Sequence, residues 1–296
     1  MTDKFEGPLP WIENSGGDSV LSGTFERSPV LVRFGYDITV SVTQDAPLIF
    51  MMSVRDERRD DLRMQGAIET VPQAATSVYR DLFGNTCRRV VAPAGLFRLR
   101  SDCTIEGSDL PDQYKPWLQE TPVVDLPDDV LIYLLGSRNC ETDRLSQFAW
   151  DLFGQVTPGH TRVQAICDYV HNHIRFDYMN ARVTQTAYEG WQEKTGVCRD
   201  FAHLAITLCR CMNIPTRYVN GYLGDIGVPV TGPMDFAAWM ECFLDGGWHT
   251  FDARNNKPRI GRIVVAYGRD AADVPLIHSF GPHVLQKFAV RTDLVA

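Results

Sequence analysis

From Val30 onward, apolar and polar positions alternate. Val32, Phe34, Tyr36, Ile38 and Val40 occupy every second place, the period of a strand with one buried face. The apolar run from Ala46 to Val54 follows a turn-like TQDAP and reads as a second, buried strand. Residues 87–107 add two or three short strands, broken at Pro93 and Gly95. Helical period is weak throughout this stretch, apart from residues 59–64. The pattern predicts an all-β, sandwich-like domain over 28–110, preceded by a Gly-, Ser- and Pro-rich tail or edge segment over 1–27. Pro111, Pro116, Pro122 and Pro127 then punctuate a linker over 111–139.

From Cys140 the period changes to that of helices. Leu145, Phe148, Ala149 and Leu152 share a face, with Thr142 or Asp143 as cap and Gly154 as the stop. Val163, Ile166, Val170 and Ile174 repeat the spacing. A short helix over 184–196 should close at Gly196. The clearest helix starts after Val197, with Phe201, Ala205, Leu208, Cys209 and Met212 on one stripe. Strands follow over 216–223, 235–244 and 248–253, the last two joined as a hairpin at Gly246-Gly247, and 261–268 adds another. The predicted class is α+β: an N-terminal all-β sandwich-like domain, then a core over 140–296 with helices packed on an antiparallel sheet.

Composition narrows the class. The 296 residues are 44% hydrophobic and carry a net charge of −8, which excludes a disordered chain and a disulfide miniprotein. The acidic balance argues against a nucleic-acid partner. No run approaches the ~18 apolar residues of a membrane helix, and the first residues lack a secretory apolar run, so the expectation is a cytoplasmic protein without membrane contact. Most of the eight cysteines are then expected to be free thiols in the core.

The window Gly196-Val197-Cys198-Arg199-Asp200 places Cys198 at the start of the clearest helix. Unpaired N–H groups and the positive end of the dipole gather there, lower a thiol's pKa and can hold an oxyanion. The plainer alternative is a small residue filling a helix start. Asp252, at the end of an apolar strand, either orients a partner or caps the Asp252–Asn256 turn. Cys209 with Cys211, and His171 with His173, diverge on their helices, so no metal centre is expected. The mixed-charge run 55–61 reads as a solvated face.

Gly-Val-Cys-Arg-Asp-Phe-Ala, then Ala-Trp-x-Glu, then Gly-Trp-x-x-Phe-Asp, in this order and spacing, resembles the transglutaminase-like superfamily from about Cys140 to Ala289. The resemblance implies a papain-like core behind a bacterial-type N-terminal β domain. It also implies a cysteine–histidine–aspartate triad, with Cys198 as nucleophile and Asp252 as acid. The family's histidine falls at Ala237, and a second position where relatives can carry one is Asn255. Neither supplies a base. His203 and His249 are the nearest substitutes, and helix and strand geometry turn both away. The implied activity is a hydrolase or acyltransferase working through an acyl-enzyme on Cys198, with a peptide, amide, ester or acyl-thioester substrate and no cofactor. The alternative is a groove that binds a peptide or acyl ligand without turnover, the base lost in evolution or by deliberate substitution.

Overall fold

The computed structural model describes residues 29–64, 66–108, 110–230 and 234–295; the expected tail over 1–27 lies outside them. The first half supplies β1 (Pro29–Val42), β2 (Ala46–Phe50), β3 (Leu62–Met64), β4 (Glu69–Val71), β5 (Thr76–Arg80), β6 (Thr86–Ala92) and β7 (Gly95–Ser108). The alternation in β1 becomes burial: Val32, Phe34, Tyr36, Ile38 and Val40 are each no more than 4% exposed. The weak helical signal near residue 60 is a 3-10 segment, Asp56–Asp61.

The second half contributes α1 (Thr142–Phe153), α2 (His160–His173), β8 (Arg175–Phe176), α3 (Ala187–Glu193), β9 (Thr195–Gly196), α4 (Cys198–Cys211), β10 (Thr216–Tyr222), β11 (Phe236–Leu244), β12 (Gly247–Phe251) and β13 (Ile263–Gly268). Its antiparallel sheet runs β12-β11-β10-β13. At the β11–β12 turn, Asp245 and Gly246 take φ of 46° and 76°, the left-handed pair that a tight hairpin requires. α3 opens with a capping box between Thr186 and Glu189 and ends at Lys194, φ 56°, rather than at Gly196. Gly196 is instead the second residue of β9.

α4 departs from the one-stripe expectation: every residue from Asp200 to Cys211 is buried. The helix runs through the interior, touching α1, α2 and α3 as well as β10 and β11. Most of its polar groups find internal partners, as a buried helix demands, His203 Nδ1 being an exception. Thr207 donates to the His203 carbonyl at 2.7 Å, and Arg210 donates to the carbonyls of Thr216 and Arg269 at 2.8 and 2.6 Å.

The C-terminal strands require a correction. β14 (Ile277–Ser279) and β15 (His283–Leu294), assigned from sequence to the 140–296 core, pair with the N-terminal strands. The two sandwich sheets run β15-β1-β7-β3, with β4 also on β7, and β14-β2-β6-β5. Most β15 side chains are exposed, so the strand has no alternating apolar face to betray it. The first and last strands among the described residues therefore lie in one sandwich, and buried apolar residues of both halves form one connected core. Within the 111–139 segment, Leu118, Leu126, Val130 and Tyr133 are buried; despite its prolines it is packed down.

Candidate active site

The motif around Cys198 has a packing reason. A Cβ at Gly196 would stand 2.6 Å from the Asp200 Cβ, so only glycine lets that side chain fold back over the helix start. Asp200 accepts from the Val197 N–H at 2.8 Å and from Arg199 Nε and Nη2 at 3.0 Å. Arg199 also donates to the Arg182 carbonyl at 2.6 Å. Glycine, arginine and aspartate thus fix where α4 begins, and with it Cys198. Asp177 N–H donates to the Gly196 carbonyl at 2.9 Å, tying down the next loop.

Cys198 opens onto a groove of about 830 Å³. Among its lining residues are Cys198, Ala237, Tyr178, Asp235, Arg254 and Asn255. The other seven cysteines are buried and Cys198 alone is partly exposed. The Cys198 backbone N–H makes no hydrogen bond among the described residues, which leaves a donor at the helix start for a developing oxyanion.

The thiol is not a resting thiolate. Burial, then the Asp235 charge, pushes it up to about 11, while the Ala238 N–H and the Arg254 guanidinium oppose the rise. The expectation of a lowered pKa is corrected: in the groove wall, desolvation of the sulfur outweighs the helix terminus.

Asp252 sits behind the groove rather than in it. Its Oδ1 accepts from the Asn255 N–H at 2.9 Å and its Oδ2 from the Asn255 side-chain amide at 2.8 Å. Arg262 Nη2 donates to the same Oδ2 at 2.9 Å. Burial alone would raise this carboxyl, but the Arg262 charge and the Asn255 donors hold it below its ordinary value. Asn255 lines the groove and bridges it to Asp252; its Oδ1 accepts from Arg259 at 2.8 Å. Ala237 also lines the groove, opposite Gly221 of β10.

The substitute histidines do not reach Cys198. His203 is fully buried, and its Nε2 accepts the Ala271 N–H at 3.1 Å. His249 lies beside Lys115 and His160 in a separate depression. One histidine does line the groove, His171, whose Nδ1 donates to the carbonyls of Ala253 and Arg254 at 3.1 and 2.9 Å.

Asp235 went unremarked from sequence as a groove residue. It stands two positions before Ala237, just ahead of β11, and lines the same groove. Burial raises its carboxyl, and the Tyr178 hydroxyl donates to its Oδ2 at 3.4 Å.

Comparison with known proteins agrees with this architecture. Residues 146–253 match the family model described as the transglutaminase-like superfamily. That stretch runs from α1 through Cys198 and the hairpin to just beyond Asp252. A solved protein from Cytophaga hutchinsonii, described as "a putative cysteine protease", superposes with a TM-score of 0.80 at 27% identity, covering 91% of this chain and 92% of that one. The chain has a transglutaminase-like fold. Its likeness to ML0607 of Mycobacterium leprae is 28% identity over 236 residues, 70% of this chain and 76% of the relative. Rv2569c of Mycobacterium tuberculosis is 26% identical over 281 residues, 86% of this chain and 87% of the relative. At the general level, this transglutaminase-like core supports a cysteine-dependent hydrolase or acyltransferase.

Proposed function

We propose that the groove carries out acyl transfer from an activated ester or thioester, with Cys198 as nucleophile and Asp235 as its proton acceptor. The observation that carries this reading is the placing of Cys198, the one partly exposed thiol, at a helix start with a free N–H beside it. In the first step the Cys198 proton passes to the Asp235 carboxylate as sulfur bonds to the carbonyl carbon. The bond to the leaving alcohol or thiol breaks, and that group takes the proton back from Asp235. Water, activated by the same carboxylate, then releases the acid and restores the thiol.

The preference for activated substrates follows from what is missing. An amide needs strong protonation of its departing nitrogen, and Ala237 stands where an imidazole would provide it. A thioester leaves as a stable thiolate. Arg254, Lys257 and Arg259 on the groove wall, against Asp225 and Asp235, suit an acyl group with a nearby negative charge, such as a carboxylate.

A second reading has one specific observation behind it. Ala237, together with a thiol near 11, fits a groove that binds an acyl or peptide ligand without turning it over. Intact-mass analysis after incubation with N-acetylglycine thiobenzyl ester at pH 8 separates the two. Catalysis requires benzyl thiol release and an acyl adduct on Cys198, both absent from Cys198→Ala. Binding of N-acetylglycine with neither release nor adduct would leave only the second reading.

A further inference from the structure

A second cavity, of about 350 Å³, lies at the end of the sandwich where it meets the core. This is at the small end of the roughly 300–1,000 Å³ range of ligand pockets. Its apolar wall comes from Phe34, Met52, Val54, Leu62, Ile68 and Tyr222. Three polar features break that wall. The Thr86 hydroxyl lines it, in a residue only 6% exposed, and makes no hydrogen bond. The Arg88 guanidinium lines it with a single hydrogen bond, from Nε to the Ser53 hydroxyl at 3.3 Å, so its terminal nitrogens are unengaged among the described residues. Arg59 also lines the cavity, and is paired to Asp56 at 3.3 Å. Close by, Tyr36 faces Ser101 across the β1–β7 ladder, and its hydroxyl too is buried without a partner. Burial keeps that phenol neutral, a donor.

An unpartnered hydroxyl in a native interior is costly, and two of them beside a half-used guanidinium call for an occupant. We propose that this cavity binds a small apolar carboxylate: the chain packs on Phe34, Met52, Val54 and Ile68, and the carboxylate lies on Arg88 with Thr86 donating. A neutral apolar ligand would leave Arg88 and Thr86 as they are, and an inorganic anion would leave the apolar wall unfilled. The Tyr222 hydroxyl donates to the Met52 carbonyl at 3.0 Å. The Tyr222 ring meets Phe34 at 5.0 Å on one side and Phe236 at 4.6 Å on the other. These rings separate the cavity from the Cys198 groove, which Phe236 lines.

Calorimetric titration of the full chain with sodium octanoate tests the assignment, using protein whose Cys198 has first been blocked with iodoacetamide so that the groove is obstructed. Saturable one-to-one binding is expected to survive the block, to weaken at least tenfold in Arg88→Met and several-fold in Thr86→Val, and to be much weaker for 1-octanol. Thr86→Val removes an unsatisfied group, so it should melt no lower than the parent and serves as the variant that keeps its fold. Absence of binding, binding unchanged in both variants, or binding abolished by blocking Cys198 would each overturn the proposal.

Discussion

At the scale of single residues, Cys198 and Asp235 are opposed in one sense and cooperative in another. The carboxylate's charge holds the thiol protonated, yet the same carboxylate shares the groove wall with it and is the group proposed to accept the proton. Asp235→Asn separates the two effects. Removing a like charge lowers the thiol, so alkylation of Cys198 by iodoacetamide at pH 8 should rise severalfold, while thioester turnover falls by about 10²-fold or more with the loss of the base. If both rates rise together, Asp235 acts only through its charge. Ala237→His offers an imidazole on the groove wall and should raise turnover of the same thioester. Unchanged kcat in a variant that still binds N-acetylglycine would place the proton transfer elsewhere. The gain should be partial, because Asn255 and Arg262 already occupy Asp252, the acid that would orient the new ring.

At the scale of elements, α4 shows both what the pattern revealed and what it concealed. Gly196 and Asp200 bracket Cys198 in the sequence, and the structure gives the reason in a carboxylate folded onto the helix start. The strand order β10, β11, β12 and the hairpin turn were legible because alternation and Gly246-Gly247 are local signals. Burial of α4 on all sides was not, because Asp200, His203, Thr207 and Arg210 look like a solvated face until their internal partners are known. His203 makes this measurable. Burial pushes its imidazole well below the ordinary value, while Asp270 opposes and Arg199 and Arg210 add to the fall. A histidine with a depressed folded pKa contributes stability that is complete above the unfolded value, near 6.5, and lost as pH falls below it. The melting temperature should therefore decline from pH 6.5 to 4.5, and the decline should flatten in His203→Gln. An equally steep decline in that variant would assign the acid sensitivity to other groups.

At the scale of the whole molecule, the chain closes on itself. β15 returns to β1, and the 111–139 segment pins the site from the opposite side: Asp112 accepts from Arg262, which also holds Asp252. Neither arrangement was legible in the sequence. An edge strand with exposed side chains leaves no period, and an aspartate in a proline-rich stretch gives no sign of a buried arginine about 150 residues away. The transglutaminase-like core was legible because its residues are fixed by short-range geometry at one helix start and one hairpin. The seven other thiols are distributed through that shared interior, so the molecule supplies its own controls for the thiol on which the account rests. Iodoacetamide labelling of the native protein, mapped cysteine by cysteine between pH 7 and 10, is the most direct measurement. Cys198 should be modified first of the eight, at a rate rising about tenfold per pH unit toward a midpoint near 11. Modification of a different cysteine ahead of Cys198 would contradict the account.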